Sequence, residues 1–171
     1  AAGLVSQLGP TAAVTKIRKY TLDLYKKLEK EVDHSAGLRI NGALSIAQTE
    51  GRWQELQRQA TTAQLYDVDI QILDKEYMKK KYPMMHVDNL KGGVLMPGDG
   101  AADPSGVTHM LAKGARLGGA KIFEQSPVET ILTKNGRVCG VRVNGQDIEC
   151  EYVVLATGMW SRQIGEKMGV S

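Results

Sequence analysis

Two glycine-bearing turns are the parts of this sequence best suited to holding a ligand. The first, Pro97-Gly98-Asp99-Gly100-Ala101-Ala102-Asp103-Pro104, leads into a helix start, the geometry whose free backbone N–H groups receive phosphate. A dinucleotide fingerprint needs three glycines at fixed offsets so that backbone can reach a pyrophosphate, and Asp103 stands where the third should be. A carboxylate there repels phosphate and caps the helix instead, so the segment reads as a turn followed by a capped helix. The second turn, Ala156-Thr157-Gly158, follows the apolar run Val153-Val154-Leu155-Ala156. A small residue and a glycine at the end of a buried strand let backbone approach a flat or phosphorylated ligand at the carboxyl edge of a sheet. An ordinary crossover in any α/β protein fits this pattern equally well.

Other chemistries find no support. His34, His86 and His109 are far apart, Cys139 and Cys150 lack metal-ligand spacing, and no serine sits in a nucleophile elbow. His109 reads as a helix-surface residue. With Asn144-Gly145 as a two-residue hairpin turn, Val143 faces Gln146, and counting outward sets Cys139 opposite Cys150. This is a hydrogen-bonded pair, whose wide spacing suits a disulfide poorly, so two buried thiols are predicted beside Val141, Val143 and Ile148.

The elements that must position these turns alternate in period. After Gly9-Pro10 and a capping Thr11, the positions Val14, Ile17, Thr21, Leu24, Leu28 and Val32 recur at helical spacing. From Leu38 the spacing turns to alternation through Ile40, Leu44 and Ile46, which predicts a strand pair or a bulged strand across Asn41-Gly42. Thr49 caps a second helix, Ile70 to Leu73 is a short strand, and Asp74 caps a third helix that Pro83 ends. Val94-Leu95-Met96 is another strand, and the helix after Asp103-Pro104 runs to Gly118-Gly119. Strands are then expected at 121–124, 128–133, 138–143, 146–150 and 152–156, the middle three as a meander turned by Asn135-Gly136 and Asn144-Gly145. The last, continuously apolar, is expected to be covered on both faces.

The 171 residues are 42% hydrophobic and 24% charged, enough for one sizeable core with a small second lobe. A formal charge of +3, spread along the chain, gives no argument for nucleic acid. Lys79-Lys80-Lys81 suits the C-terminal end of its helix. No apolar stretch approaches the roughly 18 residues of a membrane span, and the first residues given lack a charged region followed by an apolar one. It reads as intracellular: cytoplasmic if bacterial, mitochondrial matrix if eukaryotic. Its start on the apolar run Ala1-Ala2-Gly3-Leu4-Val5, without cap or polar lead-in, reads as a cut from something longer.

From Gly92 onward the chain resembles the FAD-dependent amine oxidases and dehydrogenases of the D-amino acid oxidase superfamily. The likeness runs through Pro97-Gly98-Asp99-Gly100, Asp103-Pro104, Gly114-Ala115, Gly119-Ala120, Pro127-Val128, Gly136-Arg137-Val138, Gly140-Val141, and Val153-Val154 leading to Gly158 and Trp160. Ala1-Ala2-Gly3-Leu4 and Lys27-Leu28-Glu29 resemble the dimethylglycine and sarcosine dehydrogenase branch in particular.

That resemblance implies a mixed α/β fold in three parts. Residues 1–36 would be a flavin-proximal segment and long helix, 37–96 a mixed-sheet substrate-binding lobe, and 97–171 part of a Rossmann-like FAD-binding domain with a β-meander. It implies that Ala1, Ala2, Gly3 and Leu4 pass the isoalloxazine ring, that Val128 meets the adenine end through its backbone, and that Ala156, Thr157, Gly158 and Trp160 lie against the cofactor. A histidine before Ala1 would bond the flavin covalently. The implied reaction is oxidation of an N-methyl amine by hydride transfer to FAD, the iminium then being hydrolysed or trapped by tetrahydrofolate. The substrate's carboxylate needs a holder, for which Arg39, Arg52 and Tyr66 are candidates without a motif to choose among them. Catalytic residues are not identified, and these 171 residues alone are expected to be inactive. Open sheet edges imply homo-oligomerisation as a further expectation. A non-catalytic branch of the same fold, the regulatory subunit of pyruvate dehydrogenase phosphatase, fits Gly3 to Gln7 and Ile46 to Thr49 equally well.

Overall fold

The structure, a computed structural model, describes residues 3–169. The chain divides into two compact units, Ala1–Lys121 and Ile122–Ser171.

In the first unit, the helix α1 (Ala12–Glu31) starts where the sequence places its cap: the Thr11 side chain accepts from the amide of Val14. The buried Thr15 hydroxyl donates to the Thr11 carbonyl and accepts from the Gly9 amide, so the turn before the helix is tied to its first turn. One face of α1 packs on α4 (Pro104–Leu117), where Val32, Ala36 and Met110 are buried with Tyr25, Leu28 and Val107 around them.

The central sheet has the order β2 (Ala43–Ala47), β4 (Gly92–Met96), β3 (Gln71–Leu73), all antiparallel. Its middle strand sorts two helices by the two-residue period of a strand. Gly92 and Val94 face α2 (Glu50–Leu65), with Trp53, Leu56 and Ala47; Gly93 and Leu95 face α3 (Lys75–Lys81), with Met78, Leu73 and Leu90. The two glycines are required by contact. A Cβ on Gly92 would lie 2.7 Å from the Trp53 ring, and one on Gly93 would lie 2.7 Å from the Met78 sulfur. Thr49 and Asp74 cap α2 and α3 as predicted.

The predicted strand pair across Asn41-Gly42 resolves into two different partners. Arg39 bridges Ala101, while β2 pairs with β4, and Gly42 makes the break with φ 82°.

The second unit is the meander β6 (Val128–Lys134), β7 (Arg137–Val143), β8 (Gln146–Glu149). Both Asn-Gly turns have positive φ at both residues, as a tight two-residue hairpin turn demands. The register matches the reading outward from Asn144-Gly145, with Val143 opposite Gln146 and Val141 opposite Ile148. Arg142 and Asp147 pair across the hairpin through two bonds of 2.6 and 2.9 Å. After a short 3₁₀ turn at Gly158–Trp160, α5 (Ser161–Lys167) follows.

Three expectations are corrected. Residues 121–124 form no strand, and neither do residues 152–156, where Val154 is 88% exposed rather than covered on two faces. A strand exists only through its neighbours' hydrogen bonds, and among the described residues no ladder reaches either segment. Cys139 and Cys150 are half-buried rather than buried, since β8 is an edge strand exposed along its whole length. The mixed α/β class holds, with antiparallel pairing in all three sheets of the described residues.

Candidate functional site

The first unit builds its site around the segment from Gly3 to Leu8. The two-residue strand β1 (Leu4–Val5) pairs with β5 (Gly100–Ala101), and Arg39 joins Ala101 on the other side through bonds of 2.8 and 3.0 Å. The run 100–103 is thereby gripped from both flanks. Ala102 donates to the Gly3 carbonyl at 2.8 Å, and the Asp103 amide donates to the Ala36 carbonyl at 2.8 Å. The Asp103 carboxylate accepts from the Ser105 and Gly106 amides and so caps α4, as the sequence predicts.

Gly3 has φ 72°, and a Cβ there would meet the Ala102 carbonyl oxygen at 2.5 Å, so glycine is needed for the chain to lie against the 100–103 run. The next side chain turns outward: Leu4 is 81% exposed. Beside it a cavity of about 540 Å³ is lined by Gly3, Leu4, Val5, Tyr25 and the first turns of α4.

Behind the segment stands a polar support that the sequence reading did not single out. Asp99 is 1% exposed; its Oδ1 accepts from the Gln7 amide at 2.9 Å, and its backbone carbonyl accepts from the Gly42 amide. Burial pushes the Asp99 carboxyl above the usual carboxylate range, while the Gln7 bond and the nearby Arg18 charge pull the other way. The Arg18 guanidinium donates to the Ser6 hydroxyl and the Leu8 carbonyl. Together Asp99 and Arg18 clamp residues 6–8 and so hold the strand that presents Leu4. The sequence places Asp99 in a turn and in the Pro97-Gly98-Asp99-Gly100 motif of the resemblance, without a supporting role; the signal is an acidic residue between two glycines, which become necessary when the chain packs this closely. A Cβ on Gly100 would lie 2.0 Å from the Arg39 carbonyl oxygen.

The carboxylate-holder candidates differ in exposure. Arg39 and Arg52 are exposed and Tyr66 is half-buried, its carbonyl taken by Lys19 at 2.8 Å. His109 lies exposed on α4, edge-on to His34 at 6.3 Å.

In the second unit Val128 opens β6 opposite Val143. Ala156, Thr157, Gly158 and Trp160 follow one another on an exposed turn, where Gly158 has φ 55° and no atom within 4 Å of the position its Cβ would take. Its glycine is a backbone requirement, and the space beside it is open. Thr157 and Ser161 share a hydroxyl hydrogen bond of 3.0 Å across the turn. Ala1 and Ala2 lie outside the described residues.

The model of the DAO family, FAD dependent oxidoreductase, matches residues 1–171. The chain belongs to this family. Among its relatives are the 4-methylaminobutanoate oxidase (formaldehyde-forming) of Paenarthrobacter nicotinovorans, 34% identical over 99% of the chain and 21% of that protein. Human sarcosine and dimethylglycine dehydrogenases are 33% and 28% identical, each over 99% of the chain and 19% and 20% of their own lengths. The mitochondrial pyruvate dehydrogenase phosphatase regulatory subunit of Mus musculus is 29% identical over 96% of the chain and 19% of its length. The L-proline dehydrogenase from P. horikoshii shares the fold with TM-score 0.89 at 25% identity, over 98% of the chain and 44% of that structure. The chain thus spans about a fifth of the curated relatives it matches.

The family's cofactor is FAD, and the features present fit it. A glycine-bearing segment offers an exposed aliphatic side chain beside a cavity, and an exposed glycine turn leaves backbone open to a ligand.

Proposed function

We propose that the chain forms the flavin-facing segment, the substrate lobe and part of the cofactor domain of an enzyme that oxidises an N-methyl amine bearing a carboxylate. The carrying observation is the presentation of Leu4: exposed at the edge of a cavity, on a strand fixed by Gly3, Asp99 and Arg18. Bound FAD supplies the two-electron oxidation of the carbon–nitrogen bond, chemistry that no side chain here performs.

The chain's own residues position and shield. Gly3 and Leu4 would lie along the isoalloxazine ring, Leu4 covering it with aliphatic surface that excludes water. Val128 would offer backbone to the adenine end, and Ala156, Thr157, Gly158 and Trp160 would border the cofactor. The support for an N-methyl amine is that relatives named for sarcosine, dimethylglycine and 4-methylaminobutanoate align over 99% of the chain. Covalent attachment through a histidine preceding Ala1, and tetrahydrofolate as acceptor, belong to the same reading.

The test is anaerobic mixing of the protein that carries this chain with sarcosine, dimethylglycine and 4-methylaminobutanoate in turn. Bleaching of the flavin band by one of them, with formaldehyde released after hydrolysis, is expected. A protein that holds flavin unreduced by all three would contradict the substrate class. The 29% identity with the phosphatase regulatory subunit supports a second reading, a non-catalytic regulator. Capture of pyruvate dehydrogenase phosphatase, without amine-dependent bleaching, would select it.

A further inference from the structure

The structure places two cysteines opposite one another on one rung of a hairpin. In the β7–β8 ladder Val143 opposes Gln146 and Gly140 opposes Glu149; the next rung is Cys139 with Cys150, and the Cys150 amide donates to the Cys139 carbonyl at 3.1 Å. On such a hydrogen-bonded rung the Cα atoms lie about 5.5 Å apart, inside the range that disulfides span, while the Cβ atoms are wider apart than a relaxed disulfide prefers.

A second feature acts on this rung from the other side of β7. Leu132 pairs with Gly140 and Thr133 with Val138, so Cys139 is the extra residue of a β-bulge, with no partner on β6. Bulges raise the local twist and re-aim the side chain they carry. Here that twist falls on the strand position whose sulfur must close toward Cys150.

Both cysteines are free and half-buried, lining an open depression with Lys134, Asp147, Glu149 and Glu151. A small oxidant can reach them, and the three carboxylates against one ammonium favour an uncharged one. Among the described residues no cluster of three or more His, Cys, Asp or Glu side chains could hold a metal ion.

We propose that Cys139 and Cys150 are a reversible dithiol–disulfide couple, a modification site that hydrogen peroxide oxidises. One thiolate attacks the peroxide O–O bond, forming a sulfenic acid and releasing hydroxide. The second thiolate attacks the sulfenic sulfur; the S–S bond forms and the second oxygen leaves as hydroxide. The two thiol protons convert these to water, so two thiols and one peroxide give one disulfide and two waters. Both electrons lost by sulfur reduce the peroxide. Because the rung is wide, the bond is strained and readily reduced, which suits a switch rather than a structural staple.

The protein is treated with hydrogen peroxide under native conditions, alkylated, and digested with trypsin without reductant. Loss of both alkylatable thiols is expected, together with a linked pair of peptides, residues 138–142 and 143–162, lighter by two hydrogens than their sum and separated by dithiothreitol. In Cys150→Ser the link is lost, and Cys139 instead accumulates a sulfenic acid that dimedone traps. Full alkylation of both cysteines under conditions that oxidise a free peptide of the same sequence would overturn the proposal. So would linkage between two chains that persists in both single serine variants, or over-oxidation at equal rates in wild type and Cys150→Ser.

Discussion

Gly3 and Ala102 lie in close backbone contact: the Ala102 amide donates to the Gly3 carbonyl at 2.8 Å, and a Cβ added at residue 3 would fall 2.5 Å from the Ala102 carbonyl oxygen. This close approach, at φ 72°, lets the first strand lie flat on the 100–103 run and turns Leu4 outward.

Gly3→Ala should therefore act locally and strongly. Strain at positive φ and the contact with a backbone oxygen together cost about 1–3 kcal/mol. Urea unfolding should show that loss, while a control Gly51→Ala, open on all sides and in the first turn of α2, should hold or gain stability.

The two faces of β4 make a matched test of packing. Gly92→Ala drives a methyl group into the Trp53 ring and should cost about 1–3 kcal/mol by overpacking. Met78→Ala, on the opposite face, should cost about 2–5 kcal/mol by leaving a cavity. Denaturant midpoints check both, and Trp53 emission should shift in the first variant only.

Asp99 gives a pH signature of defined sign. Its folded-state pKa is raised, chiefly by burial, so the native state binds more protons than the unfolded state between the ordinary carboxylate pKa and the raised one. Its contribution to stability thus falls as pH rises through that window and levels off above it. Asp99→Asn keeps an oxygen for the Gln7 amide and removes the charge. Unfolding free energies of the two proteins, subtracted at each pH, should move in favour of the asparagine variant as pH rises from about 4. A constant difference across pH 4–8 would show that Asp99 does not titrate differently on folding.

Most of the fold was legible because its determinants are local. Thr11, Thr49, Asp74 and Asp103 cap helices through side chains adjacent in sequence, and Asn135-Gly136 and Asn144-Gly145 set their turns with their own backbone angles. The two missed strands fail for the opposite reason: residues 121–124 and 152–156 carry strand composition, but a strand is a property of a pair. The site was legible only at the glycines. Clamping of residues 6–8 by Asp99 and Arg18 joins positions up to 92 apart, and no local pattern announces it.

The second unit leaves Tyr152, Val154, Met159 and Trp160 exposed, with no large side chain fully buried among its described residues. Apolar surface of this kind seeks a cover. Light scattering of the 171-residue chain should show concentration-dependent self-association, and Val154→Lys should reduce it. A monomer at high concentration would oppose this expectation.

Leu4 offers the most direct test that the first strand faces the flavin. At 81% exposure, Leu4→Glu should change folding stability by no more than about 0.5 kcal/mol. Yet a carboxylate set against the ring should shift the visible flavin spectrum and lower the flavin-to-protein ratio of the purified protein that carries this chain. An unchanged spectrum with full flavin occupancy in the variant would contradict the account, because Leu4 would then point away from the cofactor.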